Sequence, residues 1–133
     1  MARCAGLSHV AMSVPEGTLT DVYRTRLLDF YGRTLGWREM ESLRRPDRLT
    51  VAVGQFSYIN VRERPDSMVT HDYEHFGVLL RSAQDLQDLW DDLAKGEDVQ
   101  LEPLSTSDQG EGSFRFRFLL PMAVEAQFFA HAL

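Results

Sequence analysis

The sequence predicts an α+β fold made of two βαβββ modules, and three observations carry that reading. A strand of period-two alternation opens each half. A helix with one apolar stripe follows it. Three further strand-like runs close the half, and the same order then repeats.

The first half begins at Leu7–Val14. Val10, Met12 and Val14 fall on one side, with His9, Ala11 and Ser13 on the other. Pro15-Glu16-Gly17 ends that strand. A helix is predicted from about Thr20 to Leu35, capped by Thr18 or Thr20, with Asp21 in its first turn. Tyr23, Leu27, Phe30, Tyr31 and Leu35 form its inner stripe, and Gly36 stops it. Three strands are then expected: Trp37–Leu43, Leu49–Val53 and Phe56–Arg62. The last two are joined by a two-residue turn at Gly54-Gln55. In the third, Tyr58 and Asn60 share one face, opposite Ile59 and Val61.

Glu63–Thr70 is mostly polar, contains Pro65 and reads as a linker. The second half opens with the apolar strand Glu74–Leu80, which carries His75. A helix over Ser82–Lys95 follows, with Leu86, Leu89, Trp90 and Leu93 as its stripe, Ser82 as its cap and Gly96 as its stop. Asp85, Asp88, Asp91 and Asp92 make its wet face. Val99–Leu104 is a short strand limited by Pro103, and Ser105–Gly112 a polar loop. Ser113–Leu120 alternates Phe114, Phe116 and Phe118 with Arg115 and Arg117; Ala123–Phe129 closes the chain. The modules span about residues 6–63 and 72–131 of one 133-residue domain.

Composition narrows the function. Fourteen Lys and Arg face twenty Asp and Glu, a net charge of −6 that argues against nucleic acid as partner. No apolar run approaches the ~20 residues of a membrane span, and the N-terminus lacks a secretory signal pattern. Cys4 is the single cysteine, so no internal disulfide forms. A cytoplasmic setting with a small-molecule ligand is the expectation. Arg115 and Arg117 either line a pocket and favour an anionic ligand, or stand solvated while the phenylalanines line it. Trp37 and Trp90 read as packing residues. His71 and His75 stand four apart, which on a helix would make a zinc face; the apolar run after His75 reads as strand instead.

Three segments carry a family likeness: Leu7-Ser8-His9-Val10-Ala11-Met12, Glu74-His75-Phe76-Gly77-Val78, and Val124-Glu125-Ala126-Gln127-Phe128-Phe129. In this order and spacing the chain resembles the vicinal oxygen chelate superfamily of glyoxalases, bleomycin resistance proteins and extradiol dioxygenases. The resemblance implies two half-barrels of mixed sheet curled around one pocket, helices outside, and commonly a homodimer. It also implies a divalent metal (Fe, Mn, Zn, Ni or Co) held by His9, His75 and Glu125. Two imidazoles and a carboxylate suit such an ion and leave positions open for substrate. Asn60 stands near the place where glyoxalase-like members carry a fourth ligand, which favours the three-ligand pattern over a glyoxalase I. Leu120-Pro121-Met122-Ala123 replaces the family's acidic turn, and Ala11 departs from the fosfomycin branch. Tyr58, Asn60, Arg115, Arg117 and Gln127 are the substrate-side candidates; no general base is assigned. The expected function is a metal-dependent enzyme, a lyase or dioxygenase, acting as a Lewis acid on a small oxygen-rich or aromatic substrate. The alternative is a metal-free protein that binds an antibiotic or aromatic ligand.

Overall fold

Apolar residues at every second position give each strand one face for the core, and both sheets of this chain follow from that demand. The computed structural model describes residues 1–96 and 98–133. They divide into two compact units, Met1–Val69 and Thr70–Leu133.

The first unit contains β1 (His9–Val14), α1 (Asp21–Leu35), β2 (Arg38–Glu39), β3 (Arg48–Ala52) and β4 (Tyr58–Glu63). Its sheet runs β1-β4-β3-β2, with β1 and β4 parallel and the other pairs antiparallel. Met12, Val14, Leu49, Val51, Ile59 and Val61 are buried, as are Leu27, Phe30 and Tyr31 of α1. Tyr31 stacks on Trp37 at 4.6 Å between ring centroids, so Trp37 is a packing residue. Thr20 is the N-cap, its hydroxyl oxygen accepting from Tyr23 N at 3.2 Å. Gly36 ends the helix at φ 73°, a left-handed conformation in which a Cβ would be strained.

Two local expectations need correction. The strand predicted over Trp37–Leu43 is only Arg38–Glu39, followed by a single 3₁₀ turn at Glu41–Leu43. Burying Trp37 against Tyr31 takes it out of the ladder, and beyond Met40 the backbone bonds to itself. The turn after β3 is also wider than two residues. Val53 N and Gly54 N both donate to the Ser57 carbonyl, so β4 starts at Tyr58 and Phe56 is left exposed.

Arg24 is the least expected member of this core. It lies on the buried stripe of α1, three residues before Leu27, and is only 5% exposed. Its guanidinium donates from Nε to Leu19 O (3.1 Å), from one terminal nitrogen to Arg48 O (3.2 Å), and from the other to Arg45 O (2.6 Å) and Pro46 O (3.1 Å). Four carbonyls thus replace its water, and one side chain ties the helix start to the turn before β3.

The second unit contains β5 (His75–Leu79), α2 (Ala83–Ala94), β6 (Gln100–Leu101), β7 (Ser105–Thr106), β8 (Gly112–Arg117) and β9 (Ala123–Phe128). Its sheet runs β5-β9-β8-β6, with β7 also on β8 and with β5 and β9 parallel. Ser82 caps α2 by accepting from Asp85 N at 3.0 Å. Leu86, Leu89 and Leu93 bury its apolar face, and α2 lies against β8 and β9. Trp90 is half-buried and donates its indole N–H to Glu102 O at 3.0 Å. The polar run Ser105–Gly112 holds a strand where a loop was expected: Ser105 pairs with Ser113 and Thr106 with Gly112. Ladder bonds are backbone bonds, so polar side chains do not forbid them. A side chain at Gly112 would collide with the Ser105 carbonyl, so glycine permits the close approach.

Two stability predictions follow from this packing. Arg24→Met should strip the carbonyls of Leu19 and Pro46 of the guanidinium donor and leave those of Arg45 and Arg48 with only their mutual backbone bonds, at a cost of about 2–4 kcal/mol in urea unfolding. Arg24→Lys keeps the charge but not the fork, and should recover only part of that loss. Alkaline conditions supply the second. Burial pushes the Tyr23 phenol from 10.0 up to about 12. The folded state therefore holds this proton more tightly than the unfolded one. Its contribution is complete below pH 10 and is lost as pH rises towards 12. Urea melts between pH 9 and 12 should show falling stability, and Tyr23→Phe should make that slope shallower while the part owed to the Tyr31 phenol, also pushed up by burial, remains.

Candidate metal and ligand site

In the second unit the alternation of β8 and β9 settles which side chains stand on the open face. Phe114, Phe116, Val124 and Ala126 are buried on the core side. Arg115, Arg117, Glu125 and Gln127 therefore point the other way and are half-buried. Register aligns Arg115 with Glu125 and Glu125 with Gly77; Gln127 lies between Ser113 and Leu79. Arg115 and Arg117 line a pocket of about 310 Å³ with Gln100, Glu102 and Asp72, and neither His75 nor Glu125 is among its lining residues.

Three predicted residues meet here. Glu125 Oε1 accepts from Arg115 Nε at 3.3 Å, and Glu125 Oε2 lies 3.5 Å from His75 Nε2. The other ring nitrogen of His75 lies 2.6 Å from the Tyr73 carbonyl oxygen. A carbonyl only accepts, so Nδ1 carries the proton. In the neutral ring, Nε2 then presents a lone pair to a carboxylate oxygen. Two acceptors facing each other require a cation or a proton between them.

Tyr73 was not foreseen in the sequence. Its ring meets the His75 ring edge-on at 5.5 Å, and the Arg115 guanidinium lies 5.3 Å from the ring centroid. Its place two residues before His75 is the one signal that alternation could have offered. Arg117 donates to Pro121 O at 3.3 Å and to His71 O at 3.2 Å, which fixes its direction on the same face. The segment from His71 to Glu74 is a turn closed by Glu74 N to His71 O at 3.1 Å, so His71 and His75 share no helix face.

In the first unit, His9 opens β1 as His75 opens β5. Its ring stacks on Tyr58 at 4.8 Å with planes 5° apart, and its Nδ1 lies 2.8 Å from Ser8 Oγ. Its Nε2 is therefore the nitrogen left to a ligand. Asn60 is engaged: its side-chain oxygen accepts from the buried Thr50 hydroxyl at 3.0 Å. Among the described residues, no group of three or more His, Cys, Asp or Glu side chains stands assembled to hold a metal ion. The second unit by itself supplies two such donors, His75 and Glu125. No helix among the described residues is long and apolar enough to cross a membrane.

No protein-family model matches this sequence, and no curated protein does. Solved structures do. A glyoxylase/bleomycin resistance protein/dioxygenase domain from Frankia sp. EAN1pec aligns with a TM-score of 0.69 at 20% identity, covering 98% of this chain and 96% of that one. A possible glyoxalase from Bacillus cereus aligns at 0.68 and 14%, covering 93% and 99%. The fosfomycin resistance protein FosX of Listeria monocytogenes, in a complex with Mn(II) and a dihydroxypropylphosphonic acid, aligns at 0.63 and 19%, covering 94% and 90%. Likeness over nearly the whole length of each chain, with the repeated strand–helix–strand order described above, shows that this chain carries the vicinal oxygen chelate fold.

Proposed function

We propose that the protein is a metal-dependent enzyme in which His75, Glu125 and His9 hold a divalent ion. The observation that carries this reading is the facing of His75 Nε2 and Glu125 Oε2 at 3.5 Å, with the histidine proton committed to the Tyr73 carbonyl. Metal-binding histidines commonly donate their second N–H to a carbonyl, which fixes the tautomer and aims the free nitrogen. The family resemblance names His9 as the third ligand. His9 holds the matching position at the start of β1, and its Nδ1 is likewise engaged by a neighbour. Bound there, a divalent ion supplies Lewis acidity to adjacent oxygens of a small substrate. The open face of β8 and β9 adds Arg115, Arg117 and Gln127 as groups that orient that substrate, with Tyr58 and Asn60 beside His9.

One observation favours a second reading, a metal-free ligand-binding protein. Arg115 already serves Glu125 as a counter-ion, so that carboxylate is stable without a metal.

Metal titration with Mn(II) at neutral pH separates the two. Glu125→Gln keeps the shape and removes the charge; it should weaken binding by about 100-fold or more, since loss of supporting groups alone costs 10–100-fold. Glu74→Gln, in the turn before β5, should leave binding nearly unchanged. Equal losses in both variants, or none at Glu125, would decide for the metal-free protein. A second measurement uses pH. Protons compete with a metal for neutral imidazole, so Mn(II) affinity of the wild type should fall steadily as pH is lowered. A pH-independent affinity would remove the histidines from the site.

A further inference from the structure

A cavity of about 320 Å³ opens where β7, β8 and β9 lie side by side. The register places Ser105 opposite Ser113 and Ser113 opposite Gln127, so the three form one row across three strands on one face of the sheet. Phe114 and Ala126 are buried on the other face, which puts the row on the open side. A tight turn holds the rim: Ser107 N donates to Glu111 O at 2.7 Å, and Gly110 N to Ser107 O at 3.0 Å. Glu111, Ser113, Gln127 and Phe129 are half-buried, while Ser105 and Thr106 are exposed at the mouth.

The polar groups of this lining are mostly neutral and unused. Among the described residues, the hydroxyls of Ser105, Thr106 and Ser113 and the amide of Gln127 have no hydrogen-bond partner. Each of these groups both donates and accepts. The matching ligand presents groups that also do both, spaced along a rigid frame. Ionised carboxylates only accept, and no Lys or Arg lines the cavity to attract an anion. A hard metal cation is also poorly served. Glu111 is the one carboxylate in the lining, and its Oε1 already accepts from Ala130 N at 3.1 Å. Phe129 adds an aromatic ring, whose electron-rich face suits polarised C–H groups. Hydroxyls around the edge of one small ring and C–H groups on its face describe a sugar or a cyclitol. The volume is at the small end of the roughly 300–1,000 Å³ typical of ligand sites, which suits a single ring.

We propose that this row of β7, β8 and β9 binds a neutral polyhydroxylated ring of monosaccharide size. Ser105, Ser113 and Gln127 engage its hydroxyls, and Phe129 packs against its C–H face. The inference stands apart from the metal reading, since neither His75 nor Glu125 lines this cavity.

The test uses the full chain without added metal and three neutral probes: D-glucose, D-galactose and myo-inositol. Saturation-transfer NMR detects binding and isothermal titration measures it. At least one neutral ring should bind. D-Glucuronate, a similar ring with a carboxylate, should bind more weakly, because Glu111 repels it and no cation receives it. Glycerol, which has the hydroxyls without the ring, should not compete. Ser113→Ala and Gln127→Ala should each weaken the bound probe about 2- to 10-fold, the contribution of a neutral hydrogen bond. Phe129→Leu, which keeps an apolar side chain without the ring, should weaken it several-fold. The Ser113 hydroxyl has no partner in the protein, so Ser113→Ala should keep the wild-type urea midpoint, and its lost affinity is then not misfolding. The proposal is overturned if none of the three rings shows saturation transfer, if wild type and Ser113→Ala bind the probe alike, or if glucuronate binds more tightly than every neutral ring.

Discussion

Each of these two sheets must give one face to its core, and the open face is what the other half of every strand can build. Leu86, Leu89 and Leu93 of α2 bury their face with Phe114, Phe116, Val124 and Ala126. With period-two alternation, that burial commits Arg115, Arg117, Glu125 and Gln127 to the other side. A one-residue slip of β8 against β9 would break the pairing of Arg115 with Glu125 and turn phenylalanines outward. Core packing therefore sets the register, and the register sets the chemistry. The rigidity of the site is that of the ladder beneath it, which is what a charged cluster on strands gains over one on loops.

The residues that are legible in the sequence are those whose roles are local. Thr20 and Ser82 cap helices because their own hydroxyls reach backbone three residues on. Gly36 ends α1 through its own φ. His9, His75 and Glu125 are singled out by the family resemblance, and alternation adds only the face of the strand on which each stands. What alternation could not show depends on partners distant in the chain. Arg24 reads as a misplaced charge until the carbonyls of Leu19, Arg45, Pro46 and Arg48 are seen around it. Tyr73 lies in a turn and matters through its carbonyl and its ring, neither of which has a sequence signature. The strand at Ser105–Thr106 is made by backbone pairing beside Gly112, so hydropathy passed over it.

The repeat within the chain sharpens the meaning of Asn60. In the first sheet His9 lies opposite Tyr58, and two residues on Ala11 lies opposite Asn60. In the second, His75 lies opposite Ala123, and two residues on Gly77 lies opposite Glu125. Asn60 is thus the positional counterpart of Glu125. The partner across the next strand differs in the same way: Thr50 bonds to Asn60, whereas Arg115 bonds to Glu125.

One lattice of positions therefore carries a neutral pair in one unit and an ion pair in the other. The neutral pair satisfies itself, since a buried hydroxyl and an amide oxygen complete each other at 3.0 Å. The ion pair does not complete itself. Glu125 keeps one oxygen turned to His75, and Arg115 keeps its fork turned to the pocket. Half-buried charges carry a desolvation cost that their mutual attraction must offset, and the neutral pair of Asn60 and Thr50 carries no such charge. Had the fold alone demanded this row of the ladder, the neutral solution of the first unit would have served twice. The charged version is carried by the second unit, where Glu125 faces both Arg115 and His75.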